Sequence, residues 1–287
     1  STPIDFGASR TIPLKAIESA LGEALGGKEV ASALKSYGYT VKSAGQKVAV
    51  QLPPYRNDLL HTVDVVEDVA ISQGYARFAP VMPSQFTVGG LSRLEQMADR
   101  VRHLMVGLEF QEIISNIMGS HQDFCTRMRL DGTEWAKVVE VDNVMSLSYS
   151  CLRQWITPSL LQVETNSSRA FYPHRMFEVG EVAIPDASAD VGSRTVTMLG
   201  AVIAHAGAHF SEIHSCLDLL LYYLDRPFTL EPVDHPSFLD GRAGKIVSNG
   251  RVIGLLGELH PEVLEHWQIG VPAVALEVEI DRLLEEV

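Results

Sequence analysis

The sequence predicts an α+β protein in two parts. A small helix-rich domain spans residues 1–78, and a larger module over residues 87–287 is built on a largely antiparallel sheet with flanking helices. Three observations carry this expectation. The early segments run in the order helix, helix, strand, strand, helix. Pro80 and Pro83 then interrupt the chain. Beyond them, strand-like runs follow one another with few intervening helices, and Asn249-Gly250 marks a tight hairpin.

In the first part, residues 13–21 read as a short helix with Ile17 and Leu21 on one side, weakened at Gly22 and broken at Gly26-Gly27. Residues 28–37 read as a second helix, with Val30, Leu34 and Tyr37 spaced for one face and Gly38 as its stop. Two short strands, 40–43 and 47–52, surround the turn at Ala44-Gly45. A third helix ends near Gly74, with Val63, Val65, Val66, Val69 and Ala70 as its apolar side. Two helices, a two-stranded wing and a helix form a layout that resembles winged-helix domains, some of which bind DNA. Layout alone does not establish nucleic-acid binding.

In the second part, residues 92–107 read as an amphipathic helix with Leu94, Met97, Val101, Leu104 and Leu108 on one side. Strands are expected at 110–118, 137–141, 175–184 and 195–204, the last apolar enough to lie centrally. Ser211 is expected to cap a helix running to Leu224. Residues 244–259 read as a hairpin. Pro261 opens a short helix that Gly270 closes, residues 275–280 form a last strand, and 281–286 a terminal helical turn.

Composition bounds the function. The 287 residues are 46% hydrophobic and 21% charged, which suits a folded chain with room for two domains. The formal charge of −13 disfavours stand-alone binding to nucleic acid, which draws its nonspecific affinity from Lys and Arg. Cys125, Cys151 and Cys216 are odd in number and without CxxC spacing, so neither a zinc site nor a disulfide framework is expected, and a reducing compartment fits. No apolar run reaches membrane-spanning length. The first residue is Ser, so the chain is expected to be a processed form or a piece of a longer protein.

The stretch 53–75, PPYRNDLLHTVDVVEDVAISQGY, is the chemically most pointed one. It carries Asp58, Asp64, Glu67 and Asp68, and the last three fall at i, i+3 and i+4, on one face of a helix. Two readings stay open on the residues themselves. One is a solvated acidic first turn facing the positive end of the helix dipole. The other is an oxygen-ligand site for a hard cation such as Mg2+ or Ca2+.

The run Arg56-x-Asp58 followed by Asp64-x-x-Glu67-Asp68-Val69-Ala70 and Gly74-Tyr75 resembles the beta subunit of phenylalanyl-tRNA synthetase. The phrases NVMSLSYSCLRQWITPSLL, RMFEVGEV, GRAGKIVSNGRVIGLLGELHPEVLEHW and VALEVEI resemble the catalytic-like module of the same subunit, in the same order. The resemblance implies the carboxy-terminal half of an archaeal or eukaryotic-type subunit, with a class II synthetase-like antiparallel sheet in the second part. It further implies that Asp58, Asp64, Glu67 and Asp68 bind Mg2+ shared with an alpha subunit. The assembly implied is a cytoplasmic α2β2 heterotetramer that binds tRNA and carries phenylalanine and ATP on alpha. The junction GELHPEVLEHW lacks the Gly-x-Gly-x-x-Arg pattern of a working site, so no catalytic or cofactor-binding residue is assigned in this chain. Arg153, in a strand-to-helix stretch, is expected to be structural.

Other constellations have cheaper readings. His205, His209 and His214 straddle a strand-helix junction and suit polar edges better than a metal site. Glu258, His260 and Glu262 suit a helix start. Ser146, Ser148 and Ser150 near His174 lack the G-x-S-x-G of a nucleophile elbow. Two competing functions remain at this level: a free-standing paralogue that binds nucleic acid or protein without aminoacylation, and an independent amino-acid-activating enzyme.

Overall fold

The computed structural model describes residues 9–167 and 169–284. It divides into two compact units, Ser1–Val88 and Gly89–Val287.

In the first unit, β1 (Arg10–Pro13), α1 (Leu14–Leu21), α2 (Gly27–Ser36), β2 (Thr40–Ala44), β3 (Lys47–Gln51) and α3 (Thr62–Gln73) follow in order. The strands form an antiparallel sheet in the order β1-β3-β2. The sequence pattern missed β1, whose four residues make sense only once Ile12 is paired with Val48. Ile12, Ile17, Val30, Leu34, Val48, Val50, Val65 and Val69 share one core. Val63, expected on the apolar side of α3, is 62% exposed. It sits in the first turn, where the helix meets that core only through Val65, Val66 and later residues.

The second unit holds α4 (Arg93–Gly107), β4 (Gln111–Glu112), β5 (Met118–Gly119), β6 (Val139–Glu140), β7 (Cys151–Leu152) and α5 (Thr157–Asn166). The remaining elements are β8 (His174–Pro185), β9 (Ser193–Ala204), α6 (Phe210–Tyr223), β10 (Thr229–Pro232), β11 (Phe238–Ser248), β12 (Arg251–Leu259), α7 (Pro261–His266), β13 (Ala273–Glu279) and α8 (Ile280–Leu283). Its main sheet has the order β10-β11-β12-β13-β9-β8-β4, antiparallel except for the short β4·β8 pair. Strand alternation divides the side chains between two cores. On β9, Leu199, Ala201 and Ile203 join the core shared with α4, α6 and α8, while Val196, Val202 and Ala204 join the core shared with α5 and α7. On β13, Val274, Leu276 and Val278 join the first core, and Ala273 and Ala275 the second. Burial on both faces explains why these two strands read as nearly unbroken apolar runs.

The hairpin prediction holds: β11 and β12 turn at Asn249 and Gly250, with φ of 51° and 72°. Two positive φ values in succession are what a two-residue hairpin turn needs. The strand expected at 110–118 is divided. Gln111 and Glu112 pair with β8, whereas Met118 and Gly119 belong to a separate small sheet, β5-β7-β6. Between them the Ser115 hydroxyl donates to Glu178 Oε2 at 2.5 Å, which draws the chain off the sheet edge. The 137–141 strand shrinks to β6 in that same small sheet. Helix α6 begins at Phe210, one residue before the expected Ser211 cap. Its first N–H donates instead to Glu258 Oε1 of β12 at 2.8 Å. Helix α7 stops at His266, before Gly270, because the chain turns at Gln268 with φ of 57°. The expected terminal turn begins at Ile280, and its last residues lie outside the described ones.

Candidate functional site

In the first unit the loop before α3 brings Arg56 between two acids. Its Nε and Nη2 donate to Asp58 Oδ1 and Oδ2 at 3.0 and 2.8 Å, a two-pronged grip, and its Nη1 donates to Asp68 Oδ2 at 2.6 Å. The Tyr39 hydroxyl donates to the same Asp68 oxygen at 2.5 Å. Asp68 is buried, so its charge requires such partners. Asp58 is exposed, and the Arg56 guanidinium holds its carboxyl below the usual range. Burial and then the Asp68 carboxylate push the Tyr39 hydroxyl up, while the bonds to Asp58 and then Asp68 push Arg56 up.

Asp64 faces a different way. Its Oδ2 accepts from the backbone N–H groups of His61 and Leu60 at 2.6 and 2.7 Å, which closes the amino end of α3. Those amides, His61 first, hold the Asp64 carboxyl below its usual value. Glu67 is exposed.

The four carboxylates therefore lie on one short segment but do not converge. Asp58 and Asp68 meet around a guanidinium, and Asp64 is turned to backbone amides. Among the described residues no group of three or more His, Cys, Asp or Glu is arranged to hold a metal ion. As arranged here, the set does not fit a metal cage. Tyr39 belongs to this cluster and was missed in the sequence, because it lies 29 residues before Asp68, in the connection between α2 and β2.

In the second unit Arg153 is 1% exposed. Its Nη2 donates to Glu178 Oε1 at 2.8 Å, its Nη1 to Ser115 Oγ at 2.8 Å and its Nε to the Glu181 carbonyl at 2.9 Å. Every arm of the guanidinium is used inside the protein, as expected for a structural arginine. His205 Nε2 lies 2.8 Å from Glu212 Oε2, His214 lies 3.7 Å from Asp218, and His209 is exposed, so the three imidazoles keep separate company. Glu258 caps α6, the His260 side chain accepts the Glu262 N–H at the start of α7, and Glu262 pairs with Arg129 at 2.6 Å. His174 is buried against Glu164 at 2.8 Å, and Ser146 accepts the Ser148 N–H. Around one hollow of about 670 Å3, Ile114, Met118, Leu147 and Tyr149 stand 92%, 39%, 81% and 50% exposed. Exposed apolar groups clustered in this way mark interaction surfaces.

Two family models match this chain in order. The tRNA synthetase B5 domain matches residues 10–75. The phenylalanyl-tRNA synthetase beta chain CLM domain matches residues 79–280. The chain belongs to the phenylalanyl-tRNA synthetase beta chain family. It is 36% identical over 284 residues to a phenylalanine–tRNA ligase beta subunit of Treponema pallidum, covering 99% of this chain and 46% of that one. It is 39% identical over 268 residues to that of Borreliella burgdorferi strain B31, covering 93% and 47%. The archaeal subunit of Thermococcus onnurineus is 32% identical over 295 residues, covering 99% and 51%. The chain thus spans about half the length of the relatives it matches. Among the described residues, no helix is long and apolar enough to cross a membrane.

Proposed function

We propose that this chain is the part of a phenylalanine–tRNA ligase beta subunit that braces a catalytic alpha subunit, within a cytoplasmic α2β2 enzyme that joins phenylalanine to tRNA with ATP. The ordered pair of family matches carries this reading. The exposed apolar rim around Ile114 and Leu147 supports it, because an assembly surface is where such groups are useful. On this reading the first unit is winged-helix-like and the second has the class II synthetase-like sheet, without active-site chemistry of its own. The buried commitment of Arg153 supports the last point, since an arginine locked to Glu178 and Ser115 is not available to nucleotide phosphates.

The Mg2+ reading takes a conditional form. Asp58, Asp64, Glu67 and Asp68 contribute to a shared Mg2+ only alongside groups of the partner subunit, because in this chain Arg56 is already paired with both Asp58 and Asp68. Titration of the purified chain alone with MgCl2 should therefore give no calorimetric binding signal.

The test of the assembly role is co-purification. A tagged chain expressed with the alpha subunit of its own organism should retain that subunit through affinity and size-exclusion steps. Separate elution, with salt-dependent binding of tRNA or DNA to the chain alone, would instead support a free-standing nucleic-acid-binding paralogue.

A further inference from the structure

A second pocket, in the sheet face shared with α5, has no part in the account above. It has a volume of about 310 Å3, and its walls include Trp135, Trp155, His235, Met198 and Leu255, with Glu277 from β13. That volume lies at the small end of ligand sites, which are typically apolar with a few well-placed polar groups.

Two of its polar groups are unusual. Glu277 is 1% exposed. Its Oε1 accepts three hydrogen bonds, from Ile156 N at 2.9 Å, Thr157 N at 2.6 Å and Thr157 Oγ1 at 2.6 Å. Those donors form the amino end of α5, so Oε1 does the capping. Oε2 has no hydrogen-bond partner, and neither does the indole N–H of Trp155, which is 6% exposed. A cap needs one oxygen, so the capping role leaves Oε2 unexplained. An unmatched polar atom in such a place is costly, on the order of 1–3 kcal/mol.

The surrounding rings add a third feature. Trp135 and His235 have centroids 4.5 Å apart, and Trp155 and His235 5.6 Å apart, so the aromatic groups stand together on one wall. Burial pushes the His235 imidazole down to about 4, so at neutral pH it brings no positive charge to the pocket. Indole faces attract cations. Glu134 and Lys137 add one charge of each sign to the lining, so the two indoles, the neutral imidazole and the buried carboxyl set a preference for an ammonium group, and the unmatched indole N–H suits an oxygen on the same molecule.

The glycine on the neighbouring strand fits this arrangement. A Cβ at Gly200 would collide with the Ile156 side chain, so the missing side chain lets the start of α5 come down onto Glu277. The carboxyl is thereby clamped through Oε1, while Oε2 stays buried without a partner in a residue that lines the pocket.

We propose that this pocket is a binding site for a small primary amine that also carries a neutral oxygen acceptor, such as an amino alcohol or an amino amide. The ammonium donates to Glu277 Oε2, the oxygen accepts from Trp155 Nε1–H, and the hydrocarbon body lies against the aromatic wall. This inference is independent of the assembly role.

The probe is 2-amino-1-phenylethanol, with 1-phenylethanol and 2-phenylethylamine as comparators that each lack one polar group. Binding is read by calorimetry and by the fluorescence of Trp135 and Trp155. The full chain is used at pH 8, above the value of about 7 to which burial raises the Glu277 carboxyl. The amino alcohol should bind saturably, and loss of the amine should weaken it about tenfold or more. Glu277→Gln keeps an oxygen for the α5 amides but removes the charge, and should abolish binding. Should that variant not fold, Met198→Phe narrows the pocket from another wall and should block binding in a chain of unchanged circular dichroism. The proposal is overturned if the probe gives no saturable signal up to roughly 10 mM. It is equally overturned if binding survives both Glu277→Gln and Met198→Phe, or if 1-phenylethanol binds as well as the amine.

Discussion

Replacing Arg153 by Met tests the reading of the second unit most sharply. The substitution leaves Glu178, itself 4% exposed, with its charge buried and only the Ser115 hydroxyl to hold it. It also frees Ser115 Oγ and the Glu181 carbonyl from their guanidinium partner. Breaking a buried ion pair from one side costs about 3–5 kcal/mol, chiefly through the uncompensated charge that remains. The unit runs from Gly89 to Val287, a size at which each kcal/mol moves the midpoint by about 2–4 °C. The expected drop in Tm is therefore roughly 6–20 °C. Urea unfolding at fixed pH gives the free energy, and an unchanged slope shows that the same unit is unfolding. The double variant Arg153→Met with Glu178→Met removes both charges and should recover a large share of the loss. A single-variant loss below about 1 kcal/mol, or a double variant no better than the single, would refute the claim that Arg153 is spent on the fold.

Three further substitutions test the same unit. Gly254→Ala places a Cβ against the Glu277 carbonyl oxygen on the paired strand, which is backbone and cannot swing aside, so a loss of about 1–3 kcal/mol is expected in urea melts. Glu277 and His235 give pH dependences of opposite sign. Burial raises Glu277 from 4.5 to about 7, so the folded chain holds the extra proton and stability falls as pH rises through that window, by about 3 kcal/mol. Burial lowers His235 from 6.5 to about 4, so the unfolded chain holds the extra proton and stability falls as pH drops through that window, by about 3 kcal/mol. Unfolding curves from pH 4 to 8 should accordingly show Glu277→Gln gaining on the wild type as pH rises, and His235→Gln gaining as pH falls. Parallel curves for both variants would contradict the burial of these groups.

The sequence revealed most where local pattern and tertiary demand agree. The 92–107 helix carries its own Ser92 cap and apolar stripe, and the structure has Ser92 accepting the Glu95 N–H. The hairpin at Asn249-Gly250 is written in its two turn residues. Elements whose only reason is a distant partner were illegible. β1 exists because Ile12 lies against Val48, and β10, Thr229–Pro232, because its residues pair with the far end of β11. The 110–118 run had the composition of one strand, yet Ser115 belongs to the Arg153–Glu178 cluster, which no local period records.

The carboxylate segment divides in the same way. The i, i+3, i+4 spacing correctly put Asp64, Glu67 and Asp68 on one helix. It could not tell that Asp64 would turn back to the amides of His61 and Leu60, or that Tyr39 would arrive from across the fold. Arg56 stood inside the motif, and its charge beside Asp58 was the available signal for an internal counterion. Glu277 left a fainter trace, the first of two acids in the run VALEVEI of an otherwise apolar strand. A carboxylate buried within a central strand calls for a partner.

The most direct test of the assembly claim is a mass. The chain is mixed with the alpha subunit of its own organism at micromolar concentration and measured by size exclusion with light scattering. The account predicts one species whose mass contains both chains. Two peaks, each with the mass of its own component alone, would contradict it.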